Sequence, residues 1–174
     1  MSGITRNRVA QLSATGWLTS FNPNSNNTVY AFVERSDSSY VIWWAFTTIN
    51  ASTNTYLTYA NNDGTLDSRY NLSPNNTVWS VITQPDGNII LGWAFTTVWG
   101  YARGRVARIL SGGTLDTTFA NPNVNNIVYA MALQSDGKIV VGWAFTWVNG
   151  ATRNYLARIN TDGTLDTSFT PNLN

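Results

Sequence analysis

The sequence predicts an all-β fold, a propeller-type array of four-stranded antiparallel blades with three full repeats behind an N-terminal half repeat. Three observations predict it. First, the stretch Tyr129–Phe169 recurs almost word for word at Trp79–Phe119 and in a worn form at Tyr30–Tyr70. Second, the marker Gly-Trp-Ala-Phe-Thr stands at Gly142–Thr146 and Gly92–Thr96, with Trp43-Trp44-Ala45-Phe46-Thr47 in the first copy. Phe46, Phe95 and Phe145 are therefore 49 and 50 residues apart. Third, only 11 % of the 174 residues are charged, and Asn, Thr, Ser, Gly and aromatics abound. That mix disfavours long helices and suits pleated, half-buried surfaces joined by tight turns.

The last copy serves as the template. Val128–Gln134 alternates in strand-forming residues and reads as a first strand. Ser135-Asp136-Gly137-Lys138 reads as a turn, because Asp-Gly supplies the positive φ of a tight hairpin. Ile139–Thr146 is a second, more apolar strand, closed by Val148-Asn149-Gly150-Ala151. Tyr155–Asn160 is a third strand, and Thr161-Asp162-Gly163 turns the chain into a short fourth, Thr164–Phe169. Copy two repeats this from Val78–Gln84 to Thr114–Phe119. Copy one is degraded: its first turn, Arg35–Ser39, lacks Gly, and Tyr59 stands where Arg108 and Arg158 stand. Residues Ser2–Leu12 align with Asn149–Ile159, so the N-terminus holds only third and fourth strands. The expected organisation is a single domain, 1–174, with a half repeat at 1–27 and repeats at 28–76, 77–126 and 127–174.

The run from Ala132-Leu133-Gln134-Ser135-Asp136-Gly137 to Thr164-Leu165-Asp166-Thr167-Ser168-Phe169 resembles the delta-60 repeat, a propeller-type family of bacterial and phage proteins. The resemblance spans essentially the whole chain. It implies a β-propeller architecture and no catalytic residues. One departure stands out: the family usually has Gly-Gly where this chain has Gly142-Trp143 and Gly92-Trp93.

Bulk properties exclude several classes. A net charge of +1 gives no field to steer nucleic acid. No stretch approaches eighteen apolar residues, so no membrane insertion is expected. Cys and His are absent, which removes the commonest zinc and haem ligands and the commonest general base. Asp67, Asp116 and Asp166 sit at equivalent repeat positions, spread over the copies rather than converging on one bond as a glycosidase requires. We therefore expect no enzyme, no metal and no cofactor. Asp162-Gly163-Thr164 and Asp63-Gly64-Thr65 lack the distal acidic ligand of a calcium loop and read as turns. Arg103, Arg105 and Arg108 form the only basic cluster; Arg103 recurs as Arg153 and Arg6 and Arg108 as Arg158, and the cluster reads as structural hydrogen-bond donors. Met1-Ser2-Gly3 leads straight into repeat sequence, so no cleavable signal peptide is expected.

The candidate ligand-binding residues are Trp43, Trp44, Trp93, Trp99, Trp143 and Trp147. Alternation places Gly142 and Ala144 on one strand face, and Val141, Trp143 and Phe145 on the other. Two readings stay open: the rings pack between blades, or they line a groove and stack on sugars. Trp43 occupies the slot of Gly92 and Gly142, which points to a different setting for copy one, a subunit boundary or an open ligand face.

Three and a half units are few for a closed ring, and a half repeat without its first two strands leaves an open edge. The expected protein is a self-associating structural repeat protein of a virion or extracellular surface, a homo-oligomer joined at terminal strand edges. The alternative is a lectin-like, carbohydrate-binding propeller module, with glycans as partners.

Overall fold

A computed structural model describes residues 9–35, 37–44, 48–49, 52–53, 56–67 and 72–171. The start of the half repeat's third strand and the Ala45–Thr47 marker lie outside the described residues, as does the side chain of Trp44. The chain forms two compact units, Met1–Ser73 and Pro74–Asn174.

The first unit holds β1 (Val29–Glu34), β2 (Tyr40–Trp44), β3 (Thr48–Ile49), β4 (Ser52–Thr53) and β5 (Leu57–Ala60). Strands β1-β2-β5 form an antiparallel meander, and β3-β4 a separate two-residue hairpin. The second unit repeats this plan twice. Copy two gives β6 (Val78–Thr83), β7 (Ile89–Trp93), β8 (Thr97–Val98), β9 (Tyr101–Ala102) and β10 (Val106–Ile109). Copy three gives β11 (Ala130–Leu133), β12 (Ile139–Gly142), β13 (Trp147–Val148), β14 (Ala151–Thr152) and β15 (Leu156–Ile159). The fold is all-β: the described residues contain no helix, and every strand pair is antiparallel.

The fourth strand does not form as a strand. Thr164–Phe169 contributes one bridge, Ile159 to Leu165, and copies one and two do the same at Ala60–Leu66 and Ile109–Leu115. The cause is local. Asp166 Oδ1 accepts hydrogen bonds from the Ser168 amide (3.0 Å) and hydroxyl (2.6 Å), turning the chain away from the ladder. Asp116 does the same with Thr118.

The second strand is also shorter than expected, ending at Gly142 rather than Thr146. Beyond it, Asn125 takes over: its Oδ1 accepts from the amides of Thr146 and Trp147, both at 3.1 Å. Asn75 holds the amides of Thr96 and Thr97 in the same way, at 2.9 and 3.0 Å. Asn26 accepts from Thr48 at 3.1 Å. The hairpins that follow turn on Trp99-Gly100 and Asn149-Gly150, with positive φ at both central residues as a type I′ turn needs.

Adjacent copies share a core. In the second unit Ile90, Val106 and Phe119 of copy two pack with Ile139, Val141 and Phe145 of copy three. In the first unit Val9 and Phe21 of the half repeat pack with Tyr40, Ile42 and Ile49 in the corresponding way. Val9 and Phe21 thus lie against copy one much as copy two lies against copy three.

Arginines tie the turns to these cores. Arg108 donates through Nε to Asp116 Oδ2 at 2.7 Å and through Nη1 to the Thr161 carbonyl of the next copy at 2.7 Å. Arg158 and Lys138 converge on Asp166 Oδ2 at 2.9 and 2.8 Å. Arg103 Nη2 reaches the Asp116 carbonyl and Arg105 Nη1 that of Val124. These guanidiniums hold carbonyls and carboxylates of the fold itself.

Candidate functional site

Two places in the fold are built and left open. The first is an aromatic ladder in the second unit. In copy two, Val78 faces Trp93 and Ser80 faces Gly92, so Trp79 is the extra residue of a β-bulge. The bulge turns Trp79 onto Trp93, and the two indoles stack with centroids 4.8 Å apart at 19°. Tyr129 of copy three meets Trp93 edge-on at 4.0 Å, and Trp143 lies 4.8 Å beyond Tyr129, tilted 55°. Four rings thus run from one copy to the next. The last rung opens on a shallow recess of about 580 Å³ lined by Ala130, Gly142, Trp143, Ala144 and Tyr155.

Trp143 is 57 % exposed, whereas Phe145, expected on the same strand face, is fully buried. The alternation expected through Val141, Trp143 and Phe145 therefore fails. The reason is the backbone: Trp143 has φ of +136°, a conformation that breaks the extended run and that L residues rarely adopt. Its amide is held by the Tyr155 carbonyl at 2.8 Å. Trp93 is absent from the positive-φ residues and remains half-buried.

The second open place is in the first unit. In copy two, β10 is paired along its length by β7, with Val106 opposite Gly92 and Ile109 opposite Ile89. Val9–Leu12 occupies the place of β10, bridged through Leu12 to Leu18. Beside it lies a recess of about 350 Å³, with Val9, Leu12, Phe21, Phe32, Glu34 and Tyr40 in its lining. Leu12 is 62 % exposed, while Ile109 and Ile159 at the equivalent position are fully buried.

The six candidate tryptophans divide. Trp93 and Trp143 meet in the ladder through Tyr129. Trp99 is exposed at the tip of the β8–β9 hairpin, and Trp147 is half-buried in β13 opposite Thr152. Trp43 is only 6 % exposed, paired with Ala31 and Leu57. It is a core ring, and the open ligand face expected around it is not there. The side chain of Trp44 lies outside the description. Sequence reasoning passed over Trp79 and Tyr129, although their fifty-residue spacing matches that of Trp93 and Trp143.

The Asp turns are occupied by their own chain. Asp162 Oδ1 accepts from the Thr164 amide and hydroxyl at 2.9 and 2.6 Å, and Asp63 serves Thr65 likewise. Among the described residues no three acidic side chains gather as metal ligands would. Burial works against ionisation of Asp116, but the Thr118 and Arg108 hydrogen bonds hold its carboxyl below the ordinary carboxylate range. Lys138 first, then Ser168 and Arg158, hold that of Asp166 far below it. Both stay ionised as structural anchors.

The repeated antiparallel meanders and Asp-capped turns make this an all-β repeat fold. Residues 84–119 and 134–169 match the model of a family described as "Domain of unknown function (DUF5122) beta-propeller". No curated protein matches the chain. Among the described residues no helix is long and apolar enough to cross a membrane.

Proposed function

We propose that this chain is a non-enzymatic structural repeat protein, of the delta-60 kind, that assembles with copies of itself through strand edges at a virion or extracellular surface. One observation supports the reading above the rest: Leu12 is 62 % exposed at a position where the two complete repeats bury Ile109 and Ile159 fully. An exposed apolar strand edge is a template for pairing with another chain. Trp17, on the same turn as Leu12 through the Ser13–Trp17 hydrogen bond, adds a second exposed apolar side chain there. Burying such side chains contributes about 1.5–3 kcal/mol each.

Sedimentation velocity over a range of protein concentrations tests this. The wild-type chain assembles as concentration rises, and Leu12→Lys, a change at an exposed position, shifts it to monomer with its circular dichroism unchanged. A wild-type monomer at every concentration would refute the proposal. A second reading, carbohydrate binding, draws on Trp99 and Tyr101, both exposed on the β8–β9 hairpin. A glycan array with Trp99→Ala as control distinguishes it.

A further inference from the structure

The turns of this chain carry two dipeptides of related chemistry. Asp-Gly occurs four times, at Asp63-Gly64, Asp86-Gly87, Asp136-Gly137 and Asp162-Gly163, and Asn-Gly once, at Asn149-Gly150. Both cyclise by one route, in which the glycine nitrogen attacks the side-chain carbonyl carbon of the residue before it. Glycine has no Cβ to hinder that approach. The fold decides whether the two reacting groups are available.

At every Asp-Gly turn they are engaged elsewhere. The amides of Gly64 and Gly87 donate to the carbonyls of Asn61 and Gln84 at 2.9 Å. Those of Gly137 and Gly163 donate to Gln134 and Asn160 at 3.0 Å. The carboxylates are held as well: Asp63, Asp86, Asp136 and Asp162 each accept, through Oδ1, from the amide two residues further on. Ring closure at any of these turns breaks both bonds.

Asn149-Gly150 is built differently. It is the two-residue loop of the β13–β14 hairpin, with Val148 paired to Ala151 across it. Among the described residues the Gly150 amide meets no acceptor and the Asn149 carboxamide no partner. Both residues are exposed, with φ of +89° at Gly150 and +44° at Asn149. A Cβ on Gly150 would find nothing within 4 Å, so the loop has room to turn its nitrogen toward Asn149 Cγ. Copy two has Trp99-Gly100 in this place and lacks the reacting side chain.

We infer that Asn149 is a site of spontaneous covalent modification in the folded chain, passing through a cyclic imide with Gly150 to aspartate and isoaspartate. The Gly150 amide gives its proton to solvent base and its nitrogen bonds to Asn149 Cγ. The Cγ–Nδ2 bond breaks, and Nδ2 takes up a proton and leaves as ammonia. Water then opens the ring. Breaking the new bond to Cγ leaves aspartate; breaking the bond to the Asn149 main-chain carbonyl carbon leaves isoaspartate. The sum is carboxamide plus water giving carboxylic acid plus ammonia, with no oxidant or reductant. The product's negative charge cancels the formal net charge of +1. Isoaspartate also adds a backbone methylene to a loop whose two-residue length sets the Trp147–Thr152 and Val148–Ala151 register. The β13–β14 hairpin loosens with age while the four Asp-Gly turns stay intact.

The full chain is incubated at mildly alkaline pH, once in native buffer and once in concentrated urea. Peptide mapping by mass spectrometry, with isoaspartate resolved by chromatography, follows every Asn-Gly and Asp-Gly pair. Unfolding speeds the four Asp-Gly sites by roughly tenfold or more, because each sheds two hydrogen bonds. Asn149, which sheds none, changes by less than about threefold and is the first site converted in native buffer. Isoelectric focusing of the native sample shows an acidic band that comigrates with Asn149→Asp. The band is absent from Asn149→Gln, whose ring would be six-membered and slow to close, and from Asn149→Trp, which rebuilds the Trp99-Gly100 turn. Suppression of Asn149 conversion by folding as strong as that at the Asp-Gly sites overturns the inference. So does an acidic band that persists in both variants, or Asp-Gly isomerisation as fast in the folded chain as in urea.

Discussion

Trp143 offers a direct measure of stored backbone strain. At φ of +136° an L residue costs on the order of 1–3 kcal/mol relative to glycine. Against this, glycine's freedom in the unfolded chain disfavours it by about 0.5–1 kcal/mol relative to alanine. Trp143→Gly and Trp143→Ala both delete the indole and its 4.8 Å contact with Tyr129, so that loss cancels between them. The glycine variant is therefore the more stable of the two by about 1 kcal/mol. Trp93 supplies the control: it precedes the same Ala-Phe-Thr and lacks the positive φ. There the order reverses, with alanine ahead of glycine by about 0.5–1 kcal/mol. Urea unfolding of the four variants, read as midpoints at constant m, gives both differences. Alanine ahead of glycine at position 143, or the same order at both sites, would refute the strain argument.

Other predictions concern the turns. Gly163 has φ of +89°, and a Cβ there would run into the Ala120 carbonyl and lie 2.7 Å from the Ala120 nitrogen. Gly163→Ala thus lowers unfolding stability by more than about 2 kcal/mol, whereas Gly150→Ala, with the same φ and open space around it, costs only about 1 kcal/mol. Asp166 is held far below the ordinary carboxylate range, foremost by Lys138. A depressed folded value stabilises fully above the unfolded value near pH 4 and is lost as pH falls toward the folded one. Urea midpoints of the wild-type chain therefore drop below about pH 4, and Asp166→Asn, weaker at pH 7, drops less over the same interval. Asn125→Ala leaves the Thr146 and Trp147 amides without the Oδ1 acceptor and costs about 1–3 kcal/mol in the same assay.

Much of the fold was legible because repetition states each expectation three times. Strand, Asp-Gly turn, strand, Asn-Gly turn and strand follow from alternation and turn chemistry alone, and β11, β12 and β15 fall within the expected stretches. The fourth strand was misread because Thr164–Phe169 has strand-forming composition while Asp166 spends its carboxylate on a local turn. Pattern alone does not rank those two uses. Trp143 was misplaced because alternation assumes an extended backbone, and a positive φ at one tryptophan cancels it. Asn26, Asn75 and Asn125 recur 49 and 50 residues apart. That spacing signalled the side chains that bind the Thr48, Thr96–Thr97 and Thr146–Trp147 amides, but an Asn-rich composition masked it. Of the site, the rings were visible and their partners were not. Stacking of Trp79 on Trp93 depends on a bulge that only the register reveals.

The proposed assembly requires the exposed Leu12 edge to pair with a strand of another chain. Amide hydrogen exchange at Ala10 to Leu12, followed as protein concentration rises, tests it most directly. Pairing between chains gives protection that climbs with concentration and disappears in Leu12→Lys. Exchange at these amides that stays constant from dilute to concentrated solution would contradict it.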